Sequence, residues 1–143
     1  MFRSHHAWLA AAALAFTTAL PMPEAHAQAT GGSGQPASLE LMSDLALAGA
    51  VNVCELAIEN DVAVQRGVLS TAKAITYVVT SRHGSQVDGA GKLDAEQIAN
   101  GTIIQIVGRI KQGCYSKLAA ADQKFVDDVL AEYQKAVKEK GKP

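Results

Sequence analysis

Apolar side chains recur every three or four residues in four stretches of the sequence, and this period is typical of α-helices. The first stretch runs from about 38 to 60, after Pro36 and Ser38, which favour a helix start. We expect its core face to be formed by Leu47, Val51, Cys54 and Ile58. The second stretch runs from about 62 to 82 and ends at His83 and Gly84. Its predicted core face consists of Val64, Val68, Ala72, Ile75 and Val79.

The third and fourth stretches carry helix signals at their ends as well. Asp94 is predicted to cap the third helix, with Gln97 reaching back to complete a capping box and Leu93 packing on Ile98. The fourth stretch, about 122 to 140, ends with lysines, which the helix dipole favours there. The predicted inward residues of the third helix are Ile103, Val107, Ile110 and Cys114, and those of the fourth are Phe125, Val129, Tyr133 and Ala136.

These patterns predict an all-α fold, a small bundle of about four helices in one domain over residues 38–142. No proline lies between Ala37 and Lys142, which permits long helices. Gly84 to Gly91 is expected to be a glycine-rich turn. The alternative is an α/β fold, because residues 75–80 and 102–107 are rich in β-branched side chains that suit strands.

The first 27 residues have the pattern of a secretory signal peptide. Arg3 precedes an uncharged apolar stretch from Ala7 to Leu20, and Ala25 and Ala27 are small residues at the cleavage positions. The apolar stretch is shorter than the roughly 20 residues that a membrane-spanning helix needs. We therefore expect a periplasmic or secreted protein with no membrane association after cleavage. Residues 28–37, rich in Gly, Ser and Gln, are predicted to form a flexible leader.

Charge and composition argue against several classes of function. The chain has 143 residues, 13 Lys and Arg against 14 Asp and Glu, and a net charge of −1, so it lacks the basic surface of a nucleic-acid binder. Removal of residues 1–27 leaves His83 as the single histidine. We therefore expect no metal site, because a zinc hydrolase needs several converging ligands. No haem-attachment or phosphate-loop motif is present, so neither a cofactor nor an enzymatic activity is predicted.

Cys54 and Cys114 are the two cysteines of the sequence. In an exported chain they are expected to form a disulfide, and two buried free thiols are the alternative. Diagonal helices of a square bundle lie too far apart for a disulfide. The first and third helices should therefore be neighbours, which disfavours a simple up-down-up-down square.

Three features together resemble the acid-stress periplasmic chaperones of the HdeA type. These are Cys54 followed by Glu55 and Leu56, an apolar helix that leads into Gln112-Gly113-Cys114, and a charged amphipathic segment from Asp122 to Val129. The resemblance covers about residues 54–140. It implies a chaperone that is folded and inactive near neutral pH and partly unfolds in acid to bind unfolding clients. The chain is also similar to small exported cyanobacterial proteins, which implies no activity.

If the chain is such a chaperone, the segments 47–58 and 103–110 are expected to become client-binding surfaces when the bundle opens. The candidate residues are Leu47, Val51, Ile58, Ile103, Val107 and Ile110. The alternative is a periplasmic structural or protein-interaction module that binds a protein partner or forms a homo-oligomer. Exposure of apolar surface only in acid would favour the chaperone.

Overall fold

A computed structural model describes residues 34–140 and contains four long helices and one small hairpin. The elements in chain order are α1 (Leu39–Glu59), α2 (Val64–Arg82), β1 (Gln86–Val87), β2 (Gly91–Lys92), α3 (Ala95–Gln112), a 3₁₀ turn (Tyr115–Lys117) and α4 (Ala120–Lys140). The prediction of an all-α bundle is confirmed. The predicted signal peptide, residues 1–27, and the first part of the predicted leader, residues 28–33, lie outside the described residues.

The two β-branched segments, 75–80 and 102–107, lie inside α2 and α3, so the α/β alternative is wrong. Threonine hydroxyls in these segments bond to the carbonyl one helical turn earlier. Thr76 Oγ1 donates to the carbonyl of Ala72 at 2.8 Å, and Thr102 Oγ1 donates to that of Ile98 at 2.8 Å. These bonds give the polar atoms of threonine a partner within a packed helix.

Local side-chain bonds fix the starts of α1 and α3. Ser38 Oγ accepts a hydrogen bond from the amide of Leu41 at 3.0 Å. Asp94 Oδ1 accepts from the amide of Gln97 at 2.8 Å, and Gln97 Oε1 accepts from the amide of Asp94 at 2.9 Å. This is the capping box that the sequence predicted, and it satisfies amides that no helical carbonyl can reach.

Helix α3 is the centre of the bundle, because it packs against α1, α2 and α4. Helices α1 and α2 also pack against each other, whereas α4 packs chiefly on α3. The direct contact of α1 with α3 confirms the neighbour relation expected from the cysteines. All five predicted core residues of α2 are buried, as are Val107, Ile110 and Cys114 of the third segment, and Ile103 is half-buried.

The predicted core face of α1 is wrong. Leu47, Val51 and Ile58 are 47%, 59% and 39% exposed, and Cys54 is half-buried. The residues that α1 buries are instead Met42, Ala46, Gly49, Ala50 and Val53. Apolar side chains surround much of this helix, so their spacing alone does not identify the face that packs. The small residues decide it, because they let α1 approach α2 and α3 closely.

The segment before α1 is held against the hairpin, which corrects the end of the predicted leader. Ala37 is fully buried and forms a parallel bridge with Val87. Its amide donates to the carbonyl of Gln86, and its carbonyl accepts from the amide of Asp88, both at 2.9 Å. The predicted glycine-rich turn contains β1 and the first residue of β2. Gly89, between the strands, and Gly91, at the start of β2, adopt positive φ. The ordered packing therefore starts before Ser38.

Gly49 lies where α1 closely approaches α2 and α3. A Cβ atom at this position would lie 2.5 Å from Cγ2 of Thr71 and 3.5 Å from Cδ1 of Ile106. Gly108 of α3 offers a contrast, because a Cβ atom there would meet no atom within 4 Å. Glycine is thus required by packing at position 49 and not at position 108.

We predict opposite effects on stability for alanine at these two glycines. Gly49→Ala should lower the free energy of unfolding by about 1 to 3 kcal/mol, because the added methyl group overpacks the α1–α2 contact. Gly108→Ala should raise it by up to about 1 kcal/mol through helix propensity. Guanidinium denaturation of both variants checks this. A Gly49→Ala variant as stable as the wild type would contradict the close approach.

Candidate functional site

A disulfide between Cys54 and Cys114 joins the second half of α1 to the end of α3, with their Cα atoms 6.0 Å apart. This confirms the predicted pairing. The loop that it closes spans 60 residues and contains α2, the hairpin and α3. In the chain-entropy treatment, closing a loop of this length stabilises the fold by about 4 kcal/mol. Helix α4 follows Cys114 and lies outside the loop.

The six residues predicted to bind clients fall into two groups. Leu47, Val51 and Ile58 are already exposed in the folded chain, on the side of α1 that faces away from the core. In α3, Val107 and Ile110 are fully buried and Ile103 is half-buried. The structure therefore does not bring the six residues together on one surface, and opening of the bundle is needed to expose the second group.

The first group forms what we call the α1 outer face, defined by Leu47, Val51 and Ile58 with Asp44 and Glu55 beside them on the same side of the helix. A shallow apolar depression of about 270 Å³ adjoins this face. It is lined by Leu47, Ala50, Val51, Cys54, Arg109, Gly113 and Cys114. Helix α1 carries four acidic residues and no basic one.

Much of the apolar surface of α1 is exposed to solvent. Its 21 residues contain a window with a mean hydropathy of 1.6, so by length and composition α1 could cross a membrane. Core helices of water-soluble proteins can meet the same criteria of length and composition, but such helices are mostly buried. In α1 only 28% of this window is buried within the bundle. The helix therefore presents more apolar surface to solvent than a core helix does.

Asp122 attaches the start of α4 to the start of α2. The residue at the N-cap of α2 is Ala63, which has no side chain that could cap the helix. Asp122 Oδ1 takes this role from 58 residues away and accepts a hydrogen bond from the amide of Val64 at 2.8 Å. Sequence reasoning missed this contact, because nothing local marks an acceptor supplied by a distant helix.

A second carboxylate, that of Asp127, attaches α4 to the end of α3. Its two oxygens accept hydrogen bonds from Lys111 Nζ at 2.7 Å and from the Tyr115 hydroxyl at 2.6 Å. Lys111 Nζ also lies 3.3 Å from the centre of the Tyr115 ring. The hydrogen bonds from Lys111 and Tyr115 hold the pKa of the Asp127 carboxyl below its usual value. The same bond to Asp127 raises the pKa of Lys111.

The apolar stripe of α4 loses contact with the bundle towards the end of the helix. Val126 is fully buried, and Phe125, Val129 and Leu130 are half-buried. The stripe continues with Tyr133 and Val137, which are 45% and 50% exposed, and Ala136 is exposed as well. The prediction that Tyr133 and Ala136 point into the core is therefore wrong. The reason is that α4 packs closely along its first half only.

The loose half of α4 leaves an open groove of about 380 Å³ beside α3. This α3–α4 groove is lined by Asn100, Ile103, Ile104, Val129, Glu132, Tyr133 and Ala136. Most of these side chains are apolar. The groove and the α1 outer face lie on different elements. Sequence reasoning placed most of their apolar residues in the core, because exposure depends on how the helices are arranged.

Titratable groups in the described part of the chain do not gather into a site for catalysis or metal binding. His83 Nδ1 is 2.8 Å from the carbonyl oxygen of Gln35 and so helps to hold the segment before α1. Among residues 34–140, no three His, Cys, Asp or Glu side chains lie close enough together to hold a metal ion. The features with functional potential are therefore the apolar surfaces and the attachment of α4.

A family model described as "Domain of unknown function (DUF8650)" matches residues 40–142, a range that contains nearly all of the helical bundle. This chain belongs to that family. No curated protein and no solved structure matches the chain. Membership assigns no activity, so function has to be argued from the surfaces and contacts described above.

We predict that Asp122→Ala lowers the free energy of unfolding by about 1 kcal/mol, because the start of α2 loses its cap. The matched control is Asp128→Ala, which removes an exposed ion pair with Lys124 on the same helix. The control should cost a few tenths of a kcal/mol at most. Urea denaturation measures both values, and equal losses would contradict a capping role for Asp122.

The Asp127 contacts predict a specific dependence of stability on pH. The pKa of Asp127 is lower in the folded chain than the ordinary 3.8. The Asp127 carboxylate therefore contributes fully to the free energy of unfolding when the pH is above its ordinary pKa. This contribution is lost as the pH falls through the lower pKa of the folded chain. The stability difference between wild type and Asp127→Asn should be constant near neutral pH and shrink below about pH 4.

Urea denaturation at a series of pH values tests this dependence. Asp128→Asn, which removes the carboxylate of an exposed ion pair with Lys124 on the same helix, serves as the control, and its stability should differ little from that of the wild type over the same range. A difference between wild type and Asp127→Asn that stays constant down to strongly acid pH would show that the contacts of Asp127 do not depend on its charge.

Proposed function

We propose that the chain is a non-enzymatic exported protein that binds unfolding client proteins in acid, in the manner of the HdeA-type chaperones that its sequence resembles. The observation that carries this proposal is the attachment of α4. This helix lies outside the disulfide loop and is joined to the rest of the bundle by the buried Val126 and by two aspartates, Asp122 and Asp127. Acid weakens the contact of Asp127, because hydrogen bonds from Lys111 and Tyr115 hold the pKa of its carboxyl below the usual value in the folded chain.

Release of α4 would uncover apolar surface on α3. Ile103 of α3 lines the α3–α4 groove beside residues of α4. Lys111 of α3 contacts α4 through its hydrogen bond to Asp127. Val107 lies midway between them on the same side of α3, since residues four apart share a face. Val107 and Ile103 are two of the residues proposed to bind clients. Unfolding chains would bind there through their own apolar side chains.

Charge repulsion adds to the effect of acid. With residues 1–27 removed and all carboxylates protonated, the chain would carry about 13 positive charges from Lys, Arg and His83. The lysines of α4 would then repel those of the bundle. The disulfide limits the opening, because α1 and α3 stay joined while α4 separates.

The test is suppression of client aggregation, followed by light scattering, with the oxidised chain 28–143 in acid and at neutral pH. We expect protection in acid and little at neutral pH. The double variant Asp122→Ala/Asp127→Ala should protect at a higher pH than the wild type does, because α4 is already loosened.

The matched control is Asp128→Ala/Glu132→Ala, which removes two carboxylates from the same helix without touching either attachment of α4. It should keep the pH dependence of the wild type. Absence of protection in acid would refute the chaperone proposal. A control that shifts as far as the test variant would refute the role of the two attachments.

The alternative function, a protein-interaction module, is favoured by the α1 outer face. This face is exposed in the folded chain, so it needs no acid to become available. Clustered exposed apolar side chains commonly mark protein contacts. A module of this kind would bind its partner equally at neutral and acid pH, which distinguishes it from the proposed chaperone.

A further inference from the structure

We propose that copies of this chain associate head to tail, with the α1 outer face of one copy packed on the outer face of α2 of the next copy. The α2 outer face is defined by Arg66, Leu69, Lys73 and Tyr77, all of which are exposed on one side of the helix. The proposal concerns the folded chain and stands apart from client binding. It rests on charge, exposed apolar surface and spacing.

Opposite charges are segregated on α1 and α2. The four charged residues of α1 are all acidic, and they are Glu40, Asp44, Glu55 and Glu59. The three charged residues of α2 are all basic, and they are Arg66, Lys73 and Arg82. The whole chain has a net charge of −1, so this segregation does not follow from its composition. An acidic face and a basic face on different copies attract each other.

The charged residues of the two faces are not used inside the bundle. The ion pairs within residues 34–140 join lysines to aspartates around α4, and none of them involves Asp44, Glu55, Arg66 or Lys73. All four of these side chains are exposed. They are therefore available to a second copy.

The two faces also hold most of the exposed apolar surface. Among residues 34–140, eight large apolar side chains are exposed, and five of them lie on these faces. Leu47, Val51 and Ile58 belong to α1, whereas Leu69 and Tyr77, 42% and 72% exposed, belong to α2. Burial of these side chains between two copies would supply the hydrophobic part of the contact.

Charged and apolar residues follow the same spacing on both helices. Steps of three, four and four residues separate the α1 set Asp44, Leu47, Val51 and Glu55, and the same steps separate the α2 set Arg66, Leu69, Lys73 and Tyr77. At 1.5 Å per residue, each set extends about 16 Å along its helix. The two faces therefore match in length.

This spacing pairs suitable side chains in either relative direction of the helices. In a parallel arrangement, Asp44 would lie opposite Arg66, and Glu55 would lie opposite the hydroxyl of Tyr77. In an antiparallel arrangement, the two acidic residues would exchange these partners. In both cases Leu69 would lie opposite an apolar residue of α1.

Arg109 of α3 borders the α1 outer face on one side only. Its Nη2 donates a hydrogen bond to Oγ of Ser43 at 2.6 Å, which holds the guanidinium at the edge nearest α3. At 3.6 residues per turn, Asp44 and Glu55 lie about 100° and 120° around the helix from Ser43. Basic side chains of another copy can therefore reach these carboxylates from the side away from Arg109.

A contact between two different faces needs no twofold axis. Each associated pair keeps one free α1 outer face and one free α2 outer face, so further copies can add. One helix packed on one helix buries less surface than the roughly 1,000 Å² expected for a stable specific interface. We therefore expect association that is weak and depends on concentration.

Sedimentation equilibrium of the oxidised chain 28–143 at neutral pH tests the proposal. At low salt, the average mass should rise with concentration and should not level off at a dimer. High salt should reduce the mass, because salt screens exposed charges. A mass that stays at the monomer value up to the highest soluble concentration would overturn the proposal.

Charge reversal identifies the two faces. Asp44→Lys/Glu55→Lys reverses the α1 outer face, and Arg66→Glu/Lys73→Glu reverses the α2 outer face. Each variant should associate at least about tenfold more weakly than the wild type, because like charges then meet across the contact. The four positions are exposed, so both variants should keep the helical circular dichroism of the wild type.

Matched controls separate the faces from net charge. Glu132→Lys/Glu139→Lys and Lys135→Glu/Lys138→Glu change the net charge by the same amounts as the two test variants, at exposed positions of α4. Both controls should associate like the wild type. Controls that are weakened as much as the test variants would overturn the assignment of the two faces.

The chain that combines both reversals provides the decisive experiment. Its net charge equals that of the wild type, and the charges of its two faces are exchanged, so it should recover association. A folded combined chain that stays monomeric would overturn the proposal, as would a reversal of α2 that leaves association unchanged. Since no client is present, none of these outcomes depends on whether the chain protects clients in acid.

Discussion

The disulfide between Cys54 and Cys114 is the constraint on which the arrangement of this bundle depends. It holds α1 against α3, the helix that contacts all the others, and it encloses α2 and the hairpin within one covalent loop. Three of the four long helices therefore form a unit whose parts cannot separate completely. Helix α4, which begins just after the loop closes, is attached to this unit by noncovalent contacts.

The attachment of α4 is uneven along its length, and this unevenness links the fold to the proposed functions. Its first half is held by the buried Val126 and by the carboxylates of Asp122 and Asp127. Its second half leaves an open groove beside α3. The same helix thus combines a contact that acid weakens with an apolar surface that is open to solvent.

Local and periodic features of this fold were predictable from the sequence, and features that depend on distant contacts were not. The capping box at Asp94 and the buried face of α2 follow from spacings of a few residues. The buried face of α1 does not, because small residues such as Gly49 decide it through the space they leave, and they give little hydrophobic signal. The contact of Asp122 with α2 was also missed, since it joins positions 58 residues apart. The hairpin was missed because each of its strands has two residues, too few for an alternating pattern.

The closed loop also determines how this chain would respond to a pulling force. Tension applied to the two ends would pass from α1 through Cys54 directly to Cys114 and on to α4, so the residues between the cysteines would carry no load. The 60 residues of the loop would otherwise extend by about 200 Å at roughly 3.5 Å per residue. Force would therefore not unfold α2 or the hairpin in the oxidised chain. Among the helices, the start of α1 and α4 would account for the extension. Reduction of the disulfide would add the length of the loop residues to the extension of the unfolded chain.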